Sequence, residues 1–291
     1  MIKKAFIFGF GYTAKVFSKL LIANNYQVYG TSRNGEIREK AKDYGVTLCD
    51  FNNDNIKPLL EESQVVLICI PPHKNSEDPV FINLKKDIIS NKDDIKWLGY
   101  LSTTGVYGDH NGAWVTEDSE CLNPGERAKR RIIAEQSWSS LYHDYNIPVH
   151  IFRLSGIYGP GRSSLDKIIA GKDYSIFKHG QFFSRIHVED ISRILFASIN
   201  KPTPGEIYNL SDDHPSASHE VDKYAAGLLG AEKPKLMPYE KADLSPMALE
   251  FYQSNRKVSN AKVKRELSLK LLYPSYKEGL NNIYATHIKE I

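Results

Sequence analysis

Gly9-Phe10-Gly11-Tyr12-Thr13-Ala14 is the stretch whose reading decides the fold. An apolar run at 5–8 precedes it, and Val16, Phe17, Leu20 and Leu21 follow at helical spacing. The hexapeptide therefore sits between a strand and a helix, the context in which G-x-G-x-x-G/A carries meaning as a dinucleotide fingerprint. Gly9 permits the tight turn, and Gly11 lets the backbone approach a pyrophosphate. Ala14 is small enough for helix to pack on strand. Tyr12 and Thr13 open the helix, whose backbone N–H groups and dipole face the phosphates. The competing reading is a strand-to-helix turn that binds nothing.

Outward from this turn, apolar runs at 5–8, 27–31, 46–49, 65–70, 97–101 and 149–154 alternate with amphipathic stretches. That alternation is the pattern of βαβ units. Right-handed crossovers would stack them into an α/β fold, a doubly wound parallel Rossmann sheet with helices on both faces. The pattern predicts a nucleotide-binding domain over residues 1–160. A smaller, less regular substrate-binding region follows over 161–291, and segments near 186–210 could return to the sheet. Further helices are expected at 165–170, 218–229, 245–254, 259–267 and 275–287, and a strand at 207–210.

The second strand ends Gly30-Thr31-Ser32-Arg33. An NAD site places a carboxylate there for the ribose 2′-hydroxyl, and none is present. Ser32 and Arg33 would instead donate to the 2′-phosphate of NADP, a contact that guanidinium geometry favours. NADP is thus the expected cofactor, with NAD the alternative and an exposed loop arginine the bland reading. Asp50, after the third strand, could accept from the adenine amino group or simply be a turn residue. Ile70 and Pro71, at the end of the fourth strand, complete the expected cofactor contacts.

Composition narrows the class. The 291 residues are 41% hydrophobic and 25% charged, with a formal net charge of +3. This is ordinary for a water-soluble enzyme and too polar for a membrane protein. The basic residues are scattered except at Lys129, Arg130 and Arg131, so no nucleic-acid footprint is expected. Cys49, Cys69 and Cys121 have no metal-ligand spacing and read as buried thiols in a reducing compartment. The nine histidines form no ligand set, so no metal is expected. Met1-Ile2-Lys3-Lys4 leads directly into the first strand without a signal-peptide core, which points to the cytoplasm.

Several further segments agree with one family. Leu101-Ser102-Thr103-Thr104-Gly105-Val106-Tyr107-Gly108 ends in V-Y-G. Residues 153–162 read R-L-x-G-I-Y-G-P-G-R. Ile186-His187-Val188-Glu189-Asp190 and Lys257-Val258-Ser259-Asn260 follow in order. Together they resemble the extended short-chain dehydrogenase/reductase superfamily, the NAD-dependent epimerase/dehydratase family, over nearly the whole chain. The resemblance implies a catalytic Ser or Thr at Thr103 and a Tyr-x-x-x-Lys pair on the next helix. Ala134-Glu135 sets the register, and the pair falls on Arg127 and Arg131. The replacement resembles the atypical, YeeZ-like branch, and the wider resemblance also implies a homodimer.

The replacement changes the chemistry. A tyrosine whose pKa is lowered by lysine can shuttle a proton, whereas arginine stays protonated and only donates. Arg127 and Arg131, four residues apart, share one helix face. They could clamp a carboxylate or phosphate, or form a solvated basic face. Tyr107 and Tyr158 are the nearest substitute proton donors by family position, though a V-Y-G tyrosine often only packs. Tyr158, Arg162 and Arg185 are the expected substrate contacts. His187, beside a helix start, suggests a positioning hydrogen bond. The expected function is an NADP-dependent oxidoreductase or epimerase/dehydratase-like enzyme on a small anionic or sugar-nucleotide substrate. The alternative is a catalytically silent NADP-binding regulator.

Overall fold

A computed structural model describes residues 2–73, 77–122 and 125–288. The chain runs β1 (Lys3–Phe8), α1 (Tyr12–Ala23), β2 (Tyr26–Thr31), α2 (Gly35–Lys42), β3 (Val46–Cys49), α3 (Asn53–Glu61), β4 (Val65–Ile68), α4 (Pro79–Ser90) and β5 (Trp97–Thr103). A 3₁₀ turn at Thr104–Tyr107 leads to β6 (Trp114–Val115), α5 (Glu126–Tyr145), β7 (Val149–Leu154), β8 (Gly156–Tyr158), α6 (Ser164–Ile169) and β9 (Tyr174–Phe177). Then come β10 (Arg185–His187), α7 (Val188–Asn200), β11 (Ile207–Leu210), α8 (Ser218–Leu229) and β12 (Lys235–Pro238). The last elements are α9 (Pro246–Gln253), β13 (Lys257–Val258), α10 (Ala261–Glu266) and α11 (Tyr276–Ile283). No described helix is long and apolar enough to cross a membrane.

Contacts divide the chain into two units. The first holds Met1–Thr103, Glu126–Arg153 and Ile191–Tyr208; the second holds Thr104–Gly125, Leu154–Asp190 and Asn209–Ile291. The single boundary expected at residue 160 is therefore replaced by an interleaved division. The reason is strand pairing: β8 bonds in parallel to β10, and β6 to β13, which ties residues before 160 to later ones. The return to the first unit begins at Ile191 rather than near 186.

The first unit is framed by a seven-stranded sheet of order β11-β7-β5-β4-β1-β2-β3. β1 pairs in parallel with β2 and β4, β2 with β3, and β4 with β5. All four β4 residues are buried, as expected of a strand covered on both faces. Phe6, Phe8, Val66, Ile68, Leu98 and Tyr100 pack with Trp138 and Leu141 of α5 into one core. Local chemistry sets the helix starts. Asn34 accepts from the Glu36 and Ile37 amides, and Asp78 accepts from those of Val80 and Phe81 ahead of Pro79. A buried pair, Arg153 Nη2 to Glu135 Oε2 at 2.8 Å, fastens α5 to β7.

The second unit has no large sheet. Its described strands form three two-stranded parallel pairs, β8 with β10, β9 with β12 and β6 with β13, while α6, α8 and α11 share a core. Ser163 with Asp166 and Ser275 with Glu278 form capping boxes that start α6 and α11. The α11 helix, expected to reach 287, gives way after Ile283 to a wider π turn at Tyr284–Ile288. The three cysteines form no disulfide and are half-buried, rather than buried as expected.

Candidate cofactor and anion-binding sites

The strand order reverses at β1, which is flanked by β2 on one side and β4 on the other. In open α/β sheets a crevice forms outside the carboxyl ends of strands at such a switch point. Here a cavity of about 550 Å³ opens in the first unit, lined by Gly9, Phe10 and Gly11 after β1, Thr31, Ser32 and Arg33 at the end of β2, and Cys69 to His73 after β4. Phe51 and Pro79 complete the lining.

The two glycines differ physically. Gly9 has φ +87°, and a Cβ there would lie 2.7 Å from Ile70 Cγ1, so the turn itself requires glycine. A Cβ on Gly11 would meet nothing within 4 Å. Its freedom is not needed by packing, which leaves space on the cavity side of the turn. The turn is held by Gly9 N donating to Thr31 Oγ1 at 3.0 Å and Phe10 N to Thr31 O at 2.8 Å. Tyr12, Thr13 and Ala14 form the first turn of α1, with Thr13 and Ala14 buried.

Among the described lining residues no side chain is acidic. Arg33 is exposed at the cavity, while Ser32 accepts from the Asn34 amide at 3.3 Å. Arg38, which the sequence reading missed, donates from Nη1 to Ser32 O at 2.7 Å and brings a second cation to the end of β2. No motif marks it; α2 simply carries it back over the loop. Asp50 does not line the cavity. Its carboxylate accepts from Asn55 Nδ2 at 3.0 Å in a local turn, and the neighbouring Phe51 ring faces the cavity instead. Burial pushes the Cys69 thiol up to about 12, against the opposing charge of Arg131, so it stays protonated at neutral pH.

The expected arginine clamp does not form as drawn. Arg131 Nη1 donates to Tyr100 Oη at 3.0 Å and Leu101 O at 2.7 Å, with its guanidinium 5.6 Å from the Tyr100 ring centre. A strand carbonyl and a phenol have taken the place of an anion. Arg127, one turn earlier, is exposed, and neither arginine lines the cavity at the glycine turn or the one in the second unit. Thr103 ends β5, half-buried. Tyr107 is buried with its hydroxyl donating to Asn209 Oδ1 at 2.7 Å, a packing and positioning role rather than a proton donor's. His187 is likewise buried, with Nδ1 accepting from the Glu189 amide at 3.3 Å.

The second unit contains its own cavity, of about 500 Å³. Tyr158, Arg162 and Arg185, the three expected substrate contacts, all line it. Tyr158 Oη donates to Ser275 O at 3.3 Å, and burial moves its phenol pKa upward, which makes it a poor proton source. Arg185 donates from Nη1 to Phe183 O at 2.9 Å and Ser216 O at 2.8 Å. Lys167, Lys172 and Arg256 also line this cavity and were not foreseen, nor were Thr104 and Tyr252. They come from separate segments with no common motif.

Comparison with known proteins follows this geometry. A solved structure of a conserved protein of unknown function from Silicibacter pomeroyi is 41% identical, covers 97% of this chain and 98% of its own, and superimposes with a TM-score of 0.91. Protein YeeZ of Escherichia coli (strain K12) is 25% identical over 248 residues, 80% of this chain and 86% of YeeZ. The chain belongs to the same family as the Silicibacter pomeroyi protein. The dTDP-glucose 4,6-dehydratase of Bacillus anthracis, solved with NAD, has the same fold. Its TM-score is 0.81 at 18% identity, covering 99% of this chain and 98% of that one. Residues 3–88 match the family described as NADP oxidoreductase coenzyme F420-dependent, the segment that carries the glycine turn and the end of β2.

Proposed function

We propose that the protein is an NADP-dependent oxidoreductase or epimerase/dehydratase-like enzyme. It holds the nucleotide in the first unit's cavity and a small anionic substrate, such as a sugar nucleotide, in the second unit's. The observation that carries the reading is the end of β2: Arg33 lines the cavity beside the glycine turn, and no acidic residue among the described lining residues could accept from a ribose 2′-hydroxyl. Gly9, Gly11, Ser32, Ile70 and Pro71 are the proposed nucleotide contacts, with Arg38 supporting Ser32. Tyr158, Arg162 and Arg185 are the proposed substrate contacts. Thr103 is the proposed residue that orients a substrate carbonyl or hydroxyl. The proposed setting is the cytoplasm, where three cysteines outside disulfides stay reduced. Exposed Ile82 on α4 and Ile133 on α5 support a homodimer through these helices, which sedimentation would reveal.

A second reading, a catalytically silent NADP-binding regulator, draws support from the engagement of Arg131 by β5 and of Tyr107 by Asn209. Neither group supplies the proton shuttle of a Tyr/Lys pair. One experiment separates the readings: NADPH absorbance is followed with a panel of sugar nucleotides in a sample whose NADPH affinity has been titrated. NADPH oxidation, or redox-neutral conversion of a sugar nucleotide detected by chromatography, supports the enzyme, and tight binding without either supports the regulator. Absence of NADPH binding overturns both.

A further inference from the structure

One wall of the second unit's cavity differs from the rest. Ala248, Phe251 and Tyr252 of α9 line it at spacings of three and four residues, so a single face of that helix is turned to the cavity. Tyr252 is buried. Phe251 is 56% exposed although it lines the cavity, and Leu249 on the same helix is 38% exposed. Ile176 and Phe182, which also line the cavity, are half-buried, so ring and wall both keep apolar surface that closer approach would cover.

The fastenings of this wall are gathered at one place. Lys178 Nζ donates to Tyr252 O, and the Tyr252 ring stands edge-on to Phe183 at 5.1 Å. Tyr239 comes to the same point, its ring 5.5 Å from that of Tyr252 and 4.9 Å from Lys178 Nζ. Residues 240–251 therefore leave and rejoin the fold between two adjacent tyrosines, with their ends close together. Asn255 secures the exit. Its Oδ1 accepts from the Phe182 amide at 3.0 Å and its Nδ2 donates to Gly180 O at 2.8 Å. Its own amide donates to Asp109 Oδ1 at 2.8 Å, and its carbonyl accepts from the His110 and Gly112 amides at 3.0 Å each. Nothing comparable holds the stretch between. Among the described residues, Ala248, Leu249 and Phe251 make no hydrogen bond or ion pair outside α9 and its Ser245 cap, and Glu250 only abuts Gly125.

We infer that residues 240–251 form a lid on this cavity, hinged at Tyr239 and at Tyr252–Asn255, which swings as a unit to lay Phe251 on what the cavity holds. A segment tied at both ends and loose between them opens at low free-energy cost while its surroundings stay folded. The α9 helix keeps the moving part rigid, and the Asn255 bonds keep the far side of the hinge still. What the lid covers rests on the proposed assignment of this cavity to substrate; the motion does not.

The test is fluorine NMR on the intact chain carrying Phe251→Trp and labelled with 5-fluorotryptophan. The position-251 resonance should appear as two lines, or show relaxation dispersion on the microsecond-to-millisecond scale, while those of buried Trp97 and Trp138 stay single. Asn255→Ala removes both carboxamide bonds at the hinge and should change the ratio of the two states about fivefold. Lys178→Met, which frees Tyr252 O, should shift it likewise and serves if the first variant does not fold. The Leu249 amide, which donates to Ser245 O, should stay protected from hydrogen exchange, because the helix moves whole. A single sharp line without dispersion makes α9 a fixed wall and overturns the inference. A Leu249 amide that exchanges as freely as in a peptide shows melting rather than swinging, and overturns it too, as does a state ratio unmoved in both hinge variants. Addition of UDP-glucose or UDP-glucuronate should draw the position-251 signal to one state. If calorimetry finds neither bound while the lid still moves, the substrate assignment falls alone; if one binds and the signal is unchanged, the inference falls alone.

Discussion

The two cavities are built in opposite ways. The first unit's is made of backbone: a glycine turn, three strand ends at a topological switch point and a proline-rich loop, with a single exposed cation at its edge. The second unit's is made of side chains that converge from Thr104 to Leu280, about half of them charged or aromatic. A backbone site is specified by a short contiguous motif, because turn geometry and helix start are local. A convergent side-chain site is specified by tertiary structure, and its residues carry no shared spacing. On the proposed reading, the first cavity is accordingly general for a dinucleotide, and the second holds the information about the substrate.

That contrast can be broken by separating frame from site. The largest expected effect is on the frame of the first unit. Glu135→Ala leaves Arg153 buried without its carboxylate and should cost about 3–5 kcal/mol in denaturant unfolding, with stability rather than ligand affinity as the readout. A loss under about 1 kcal/mol would mean the pair is solvated and does not fasten α5 to β7.

Next in size are the glycines. Gly11→Val should weaken NADPH binding about 100-fold with little change in melting temperature, since its side chain enters open space that the pyrophosphate would need. Gly9→Ala should instead lower stability by about 1–2 kcal/mol through its positive φ and the contact with Ile70. If Gly11→Val bound NADPH normally, the turn would be structural only.

Asp212 gives the second unit a signature in pH. Its carboxyl is raised to about 8 by burial, against about 3.9 in an unfolded chain, so between these values the native state holds the extra proton. Stability should therefore fall as pH rises from about 4 to 8 and level off above. Asn cannot titrate and keeps the oxygen that accepts from the His214 amide. Asp212→Asn should gain on the parent by about 1–3 kcal/mol across that window. A constant difference from pH 5 to 9, measured by urea unfolding, would show that Asp212 is ionised throughout. The smallest effect is expected at Arg127, where Ala should change stability by under about 0.5 kcal/mol, against about 1–3 for Arg131→Met. Equal costs would return Arg127 to a structural role.

How much of this the sequence revealed follows the same division. The parallel α/β sheet and the glycine turn were legible, because strand alternation and Gly9-Phe10-Gly11 act locally, whereas the caps Asn34 and Asp78 were not picked out. Asp50 misled, since a carboxylate after a strand is equally suited to a turn with Asn55. Arg131 also misled: register gave its place on α5, but not that a strand carbonyl lay within reach. The short strands β6, β9, β12 and β13 have two to four residues each and too little periodicity to read. Lys167, Lys172 and Arg256 were invisible for the same reason that they matter, being brought together only by folding.

The central claim is NADP at the end of β2, and a thermodynamic cycle tests it most directly. NADPH and NADH are titrated calorimetrically against the parent and Arg33→Ala. The account predicts tighter NADPH binding in the parent, with the gap narrowed by about 1–3 kcal/mol in the variant, the range for one charge-assisted hydrogen bond. Equal affinity for the two nucleotides in the parent, or an unchanged gap in Arg33→Ala, would contradict it.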